Sequence, residues 1–440
     1  MPTLAHRNLP SIAAVCLLAL GGPTLGAPTI DFSPTGRVAP PSVVRVDLRY
    51  EATATAEASE HPAKSNGQLK LEYRQAAVDD RGGRYVRVVD RCRDARNADP
   101  LGAHRRVLLA EPGVTGVRVA AAGAPLERSE LDLVQPSADP LDLPSLAPIE
   151  PLADGGVWSL DALSLGRLMR LDRVTLCEVT GVVADANDRF ALLKLAGAVH
   201  GLVDGASVEI DLRGAALFDR AAHSFTKANF AWDERRVVGP ATPAIEARAK
   251  LNIAVRPLGP ADEPIATAVV DRAARATFDP RLLITTGDGR WSLLADRDWF
   301  VVASGRDATT LRRVEGERIA AITTLTPRGD SPVTLESLRD EVRSALGDQL
   351  QQFTSGDRGA NAAGLTFVEV TAVGAIDGRP AIWNRAHVAA GERAIALATT
   401  IASSETGADD PSRPVRELIE TLHPVAAADG VAVAPGKRVR

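Results

Sequence analysis

The 440-residue sequence is poor in several residue types, and each shortage narrows the range of functions. Aromatic residues make up only 4% of the chain, which argues against a sugar-binding surface because such surfaces favour aromatic platforms. No apolar run approaches the roughly 18 residues of a membrane-spanning helix. The formal net charge is -5 and no basic stripe is present, so the sequence does not predict a nucleic-acid binder.

The first 26 residues have the features of a secretory signal peptide. A weakly basic start precedes an apolar stretch at 12–20, and small residues follow at the positions that a signal peptidase reads. We expect cleavage between Gly26 and Ala27. The mature chain is then expected in the periplasm or outside the cell, with no transmembrane segment of its own.

Cysteine is scarce, and Cys16 would leave with the signal peptide. The remaining pair, Cys92 and Cys177, leaves two alternatives open. In an oxidising compartment the two thiols can form one disulfide, whose long loop would stabilise the fold by roughly 4 kcal/mol. Equally, both can be buried free thiols. No Cys-x-x-Cys pair occurs, so the sequence predicts neither a redox motif nor a zinc knuckle.

Residues 42–256 carry the pattern of an antiparallel β domain, after an extended lead-in at 27–41. Apolar and polar residues, most of the latter charged, alternate strictly from 44 to 55, and the same period of two recurs at 69–74 and 247–255. Alternation with one charged face is typical of an antiparallel sheet that is wet on one side. The strands are longer than average, which favours a curved sheet or half-barrel.

Two proline-rich passages divide the chain further. The insert at 134–157 contains too many prolines for a helix, and we expect it to wrap over the sheet or to cross its open end. Just before it, the spacing of Leu131 and Leu133 predicts another short strand. The passage at 257–279 predicts a linker with a short helical patch, and it marks the domain boundary.

Residues 280–423 predict a different unit, of the α+β class. A hairpin with Asp288 and Gly289 in its tight turn begins the unit. An amphipathic helix of about five turns follows Thr334 and extends to Phe353. Three strands and a short closing helix complete an order that is typical of layered folds. The tail at 424–440 is predicted to be disordered.

This second unit resembles the PsbP-like α/β/α sandwich. The resemblance rests on the Trp291 hairpin, the strand at 298–301, the helix after Thr334, the hairpin at 379–393 and the closing helix at 416–422. It implies an α/β/α sandwich with an antiparallel sheet. It also implies a partner-binding role, because members of that family are mostly non-enzymatic binding modules.

The first unit resembles the large curved sheets of lipoprotein-localisation proteins. Through the passage at 212–240 it is also similar to uncharacterised secreted bacterial proteins. The resemblance implies a fold that is able to enclose an apolar ligand, and it identifies no particular ligand.

The motifs of common enzymes are missing, and only one candidate site emerges. The sequence has no HExxH, GxSxG, Walker or GxGxxG motif, and no histidines are spaced as local metal ligands. We therefore predict no catalytic, cofactor or metal site. On the strand at 380–390, Trp383, Arg385 and His387 share one face. If exposed, this stripe would bind an anion or a partner chain; alternatively it packs under the helix layer, with the arginine reaching outward.

Taken together, these features predict an exported, non-catalytic binding protein of two domains. Its N-terminal curved sheet would hold an apolar ligand or a segment of a partner. A filled concave face would instead favour a structural or scaffolding role in the envelope. A third alternative is a hydrolase with dispersed catalytic residues, which would require clustered carboxylates or a Ser–His pair in one cleft.

Overall fold

The computed structural model describes residues 29–33, 40–55, 62–79, 81–329, 333–402 and 413–425. The predicted signal peptide, its cleavage site at Gly26 and Ala27, and residues 426–440 lie outside the described residues. In the described part, antiparallel strands form three open sheets of eleven, seven and three strands. No helix among these residues is long and apolar enough to cross a membrane.

The eleven-stranded sheet is built as two meanders that meet in its middle. The central strand β1 pairs with β2 on one side and with β11 on the other, and the spatial order is β5-β4-β3-β2-β1-β11-β10-β9-β8-β7-β6. Its strands are β1 (Ser42–Thr55), β2 (Ala63–Ala77), β3 (Tyr85–Arg93), β4 (Val107–Gly113), β5 (Gly116–Ala121), β6 (Val157–Ser159), β7 (Arg173–Ala186), β8 (Phe190–Val203), β9 (Ala206–Asp219), β10 (Ser224–Arg236) and β11 (Ala244–Pro257).

The chain between β5 and β6 covers one face of this sheet. Because β5 and β6 lie at opposite edges, the connection must cross the sheet, and it carries the proline-rich insert. Its apolar side chains Leu126, Leu131, Leu143 and Leu146 are buried in the same core as the inward residues of the strands. The apolar face is therefore filled by the protein's own chain.

The strand predicted at Leu131 and Leu133 is wrong, because these residues belong to helix α1 (Arg128–Val134). A capping box starts the helix: Glu127 accepts from the backbone of Glu130, and the Glu130 carboxylate accepts from the Glu127 backbone N–H. Reciprocal capping of this kind satisfies two otherwise free backbone donors and overrides a short alternating pattern. The next helix, α2 (Ala162–Met169), is capped by Asp161, whose side chain accepts from the backbone N–H of Ser164.

A buried ion pair fastens the connection to the sheet. Arg87 on β3 donates two parallel hydrogen bonds to Asp139, at 2.6 and 2.7 Å, and a third to Gln75 on β2 at 2.8 Å. The guanidinium also lies 4.9 Å from the ring centre of Tyr73. Arg87 is only 1% exposed, so this contact joins the proline-rich insert to the sheet through the core.

Three aromatic residues compensate for glycines within the large sheet. Each ring lies across the glycine of the neighbouring strand, in space that a Cβ atom would occupy. The pairs are Tyr50 with Gly67, Trp158 with Gly181, and Phe230 with Gly214.

The remaining strands form two smaller sheets. The seven-stranded sheet has the order β14-β15-β16-β20-β19-β18-β17, and the three-stranded sheet has the order β12-β13-β21. Their strands are β12 (Leu282–Thr285), β13 (Trp291–Ala295), β14 (Trp299–Ser304), β15 (Thr309–Glu315), β16 (Arg318–Arg328), β17 (Leu350–Ala360), β18 (Thr366–Ile376), β19 (Arg379–Ala390), β20 (Arg393–Ala402) and β21 (His423–Pro424). Helix α3 (Thr267–Arg275) precedes them, and helices α4 (Leu335–Leu346) and α5 (Arg413–Thr421) accompany them.

Helix α4 is shorter than predicted. It begins after Thr334, whose side chain accepts from the backbone N–H of Ser337, but it ends at Gly347, which has a φ of 50°. Leu350 and Phe353 keep the helical spacing, yet they lie on the edge strand β17. A glycine with positive φ ends a helix readily, so here it overrides the apolar period.

Candidate functional site

The predicted stripe on β19 lies beneath α4. Trp383 is 8% exposed and His387 is 6% exposed, while Arg385 is half-buried. Burial, with the nearby Arg328, lowers the pKa of His387, whereas Glu341 on α4 opposes that shift. The stripe is thus a packed strand face rather than an open binding surface, which was the second of the two alternatives.

The two cysteines are free thiols in the structure. Cys92 lies on β3 and Cys177 on β7, and six strands separate them in the order of the sheet. Cys92 is buried, and this burial raises the pKa of its thiol to about 11. The thiol of Cys177 donates to the carbonyl oxygen of Leu160 at 3.0 Å. The disulfide alternative is therefore not realised in this structure.

One cavity in the described residues is a groove on the charged face of the eleven-stranded sheet. Its volume is about 770 Å³, and it crosses one end of six neighbouring strands, β2, β1, β11, β10, β9 and β8. Most of the side chains that line it point away from the core, because they alternate with inward-facing residues such as the buried Ile210. We call this cavity the polar groove.

The strand register places the lining side chains in two rows. In the first, Glu51 lies opposite Arg248, Arg248 opposite Asp233, and Asp233 opposite Asp211. Directly opposite residues of an antiparallel pair are close enough for their side chains to interact. Arg248 accordingly forms an ion pair of 2.6 Å with Asp233, and the hydrogen bond that it donates to that carboxylate raises the pKa of Arg248.

The second row runs parallel to the first. Glu246 lies opposite Arg235, Arg235 opposite Glu209, and Glu209 opposite His200. Arg235 and Glu209 form an ion pair of 3.6 Å. At the other end of the row, Lys64 lies opposite Thr53.

Carboxylates outnumber basic groups in the polar groove. Its two rows contain five carboxylates (Glu51, Glu209, Asp211, Asp233 and Glu246) and three basic side chains (Lys64, Arg235 and Arg248). Two of the basic groups, Arg235 and Arg248, are already paired within the rows. Glu51, Asp211 and Glu246 are exposed and form no ion pair with another described residue. The groove therefore offers surplus negative charge to a ligand.

No group of three or more potential metal ligands occurs within the described ranges. The carboxylates of the groove are spread along two rows rather than gathered around one point. The arrangement suits an elongated cationic ligand better than a single metal ion.

The sequence indicates that the groove residues are exposed, but it does not indicate that they lie together in one site. Alternation at 207–212 and 247–255 predicts that Glu209, Asp211 and Arg248 face water. Their proximity depends on which strands pair and in which register, and local alternation carries no information about this. Matching charge patterns at the ends of successive strands are the only signal that points to the groove.

No protein-family model and no curated protein matches the chain. Among solved structures, a protein from Bacteroides thetaiotaomicron is 11% identical with a TM-score of 0.24, covering 33% of this chain and 49% of that chain. The chain thus matches about half the length of that protein. The Ran-binding protein Mog1p of Saccharomyces cerevisiae is 6% identical with a TM-score of 0.27, covering 34% and 97%. Lipovitellin is 9% identical with a TM-score of 0.29, covering 54% and 27%. These similarities are too weak to carry a functional argument.

Proposed function

We propose that the protein is an exported binding protein that holds an extended, cationic segment of a partner in the polar groove, without catalysis at that groove. The observation that carries this proposal is the size and surplus negative charge of the groove. A volume of about 770 Å³ falls in the usual range of ligand sites. Export rests on the signal-like residues that precede Ala27.

The dimensions of the groove set the length of the segment. Neighbouring strands lie about 4.8 Å apart, so six strands span roughly 24 Å. An extended chain advances about 3.3 Å per residue, and roughly seven residues would therefore cross the groove. Lysine or arginine at alternate positions would meet Glu51, Asp211 and Glu246.

The electrostatics predict a modest and salt-sensitive affinity. Each exposed ion pair contributes only about 0.2–1 kcal/mol, because water screens the charges and the side chains lose freedom. Three such contacts give at most a few kcal/mol. Salt at physiological concentration reduces the Debye length to about 8 Å and weakens these contacts further.

The hypothesis that the large sheet holds an apolar ligand has less support. The apolar face of the eleven-stranded sheet is packed against the chain's own connection, including Leu131, Leu143 and Leu146. We therefore propose the partner-segment form. The filled face also favours the scaffolding alternative, and the experiment below separates the two.

We also propose that residues 280–423 form the α/β/α sandwich that the sequence resembles, as a second partner-binding module. In support, Ala386 and Val388 share a core with Val415 and Leu418 of α5. The adjacent residue His387 points to the opposite face of β19, towards α4. Helices α4 and α5 on opposite faces of the seven-stranded sheet are what such a sandwich requires.

Fluorescence anisotropy with a labelled seven-residue peptide of alternating lysine and serine tests the groove directly. The variant E51Q/D211N/E246Q should weaken binding by about tenfold or more. The matched control D47N/E72Q/D185N removes three charges from the same sheet outside the groove and should change the affinity by less than twofold. A glutamate version of the peptide should not bind. Equal effects of the two triple variants, or no binding by the wild type at low salt, would favour the scaffolding role.

A further inference from the structure

The three-stranded sheet brings together a serine and a histidine that are 131 positions apart in sequence. Ser292 on β13 lies opposite Thr285 on β12 and opposite His423 on β21, so the three side chains form one row. The hydroxyl oxygen of Ser292 is 2.9 Å from Nε2 of His423. This is the distance expected between a nucleophile and its general base.

The second ring nitrogen fixes the tautomer of His423. Nδ1 lies 2.9 Å from the carbonyl oxygen of Thr421. A carbonyl oxygen only accepts hydrogen bonds, so in this contact Nδ1 must carry the proton. In the neutral ring Nε2 is then the acceptor, and the Ser292 hydroxyl donates to it. A serine, a histidine and a third group that orients the ring have the arrangement of an activated nucleophile.

The surroundings hold the pair in place. Neighbouring Trp291 and Leu293 belong to the buried core, and this fixes β13 from its opposite face. Ser292 is itself only 4% exposed, His423 is half-buried, and Thr285 is exposed beside them. A reactive group that is so little exposed admits only a small acyl donor.

We propose that Ser292 and His423 form a nucleophile–base pair that takes acyl groups from small activated esters. The Ser292 oxygen bonds to the ester carbonyl carbon while its proton passes to Nε2 of His423. The bond to the leaving oxygen then breaks, and that oxygen takes the proton from His423. Water repeats the two steps on the acyl-serine, which releases the acid and restores the hydroxyl. This activity is independent of the polar groove, which lies on a different sheet.

A fluorophosphonate probe tests the pair on residues 27–440, the chain without its predicted signal peptide. The wild type should be labelled, and mass spectrometry of its peptides should locate the label on Ser292. S292A should lose the label. H423Q should react at least about 100-fold more slowly than the wild type, as expected when a general base is removed. Hydrolysis of p-nitrophenyl acetate should fall in parallel, whereas S207A, a change at an exposed serine away from any such pair, should leave both signals unchanged.

Thermal unfolding of each variant shows whether a lost signal reflects chemistry or misfolding. Labelling of the wild type needs no variant, so the proposal remains testable even if S292A is unstable. An unlabelled wild type, a label on another residue, or H423Q reacting at the wild-type rate would each overturn the proposal.

Discussion

The buried ion pair between Arg87 and Asp139 gives a sharp prediction about stability. We expect D139N to destabilise the eleven-stranded sheet strongly. Arg87 is 1% exposed and donates two of its hydrogen bonds to Asp139. Burial opposes the charge on Arg87, but the neighbouring Asp139 carboxylate outweighs that effect and raises the pKa of Arg87. When this partner is neutralised the guanidinium still stays charged, because an arginine side chain is not deprotonated in proteins.

The magnitude follows from the cost of leaving that charge without its partner. Breaking one side of a buried pair costs about 3–5 kcal/mol. This is a large share of the roughly 5–15 kcal/mol that stabilises a folded protein. Replacing both members by apolar residues, as in R87M/D139L, removes the charge as well as the pair. We expect the double variant to lie within about 1–2 kcal/mol of the wild type.

Hydrogen exchange followed by mass spectrometry is the appropriate assay, because a chain with three sheets is not expected to unfold in one step. In D139N, residues 137–146 should exchange as if their local opening free energy had fallen by several kcal/mol. The control D340N breaks the exposed pair of Arg343 and Asp340 and should have little effect. If D139N costs less than about 1 kcal/mol, or if the double variant is no better than D139N, the reasoning is refuted.

Two further predictions concern titratable groups. Burial, reinforced by Asp139, raises the pKa of Asp142 from 3.8 to about 6. Between about pH 4 and pH 6 the folded state therefore binds a proton that the unfolded state has lost. The contribution of Asp142 to stability falls as the pH rises through that window. D142N should therefore be more stable than the wild type at pH 7 by about 1–3 kcal/mol, with no gain below about pH 4, when the local opening free energy is measured by hydrogen exchange; a gain that is equal at both pH values would contradict the assignment. In a chain without Cys16, a thiol reagent at pH 8 should find two free thiols after unfolding and should react with buried Cys92 more slowly than with Cys177 in the native protein. Recovery of no thiols would instead show the disulfide.

The large sheet could be predicted in part because its information is local. Strict alternation identified β1 and β11 and the faces that they bury, as the buried Val44 and Leu251 show. Alternation gave a wrong prediction at Leu131, because a capping box starts a helix there. The helical period gave a wrong prediction at Phe353, because α4 ends at Gly347. In both places the residues at the end of a helix determine the structure more strongly than a short apolar pattern does.

Candidate sites were harder to predict because they depend on contacts between distant residues. The stripe of Trp383, Arg385 and His387 was correctly placed on one strand face, but its burial depends on where α4 packs. The polar groove needs the register of six strands, and Ser292 meets His423 only when the last described residues return to β13. No local motif encodes any of these contacts.

The most direct test of the central claim is to locate a bound cationic peptide on the protein. A seven-residue peptide of alternating lysine and serine, carrying a photoreactive group, would be crosslinked at low salt and its attachment sites mapped by mass spectrometry. The account predicts attachment within residues 51–53, 64–66, 209–211, 233–235 and 246–248, and loss of that attachment in E51Q/D211N/E246Q. Attachment elsewhere that survives this triple variant would contradict the claim that the polar groove is the binding site.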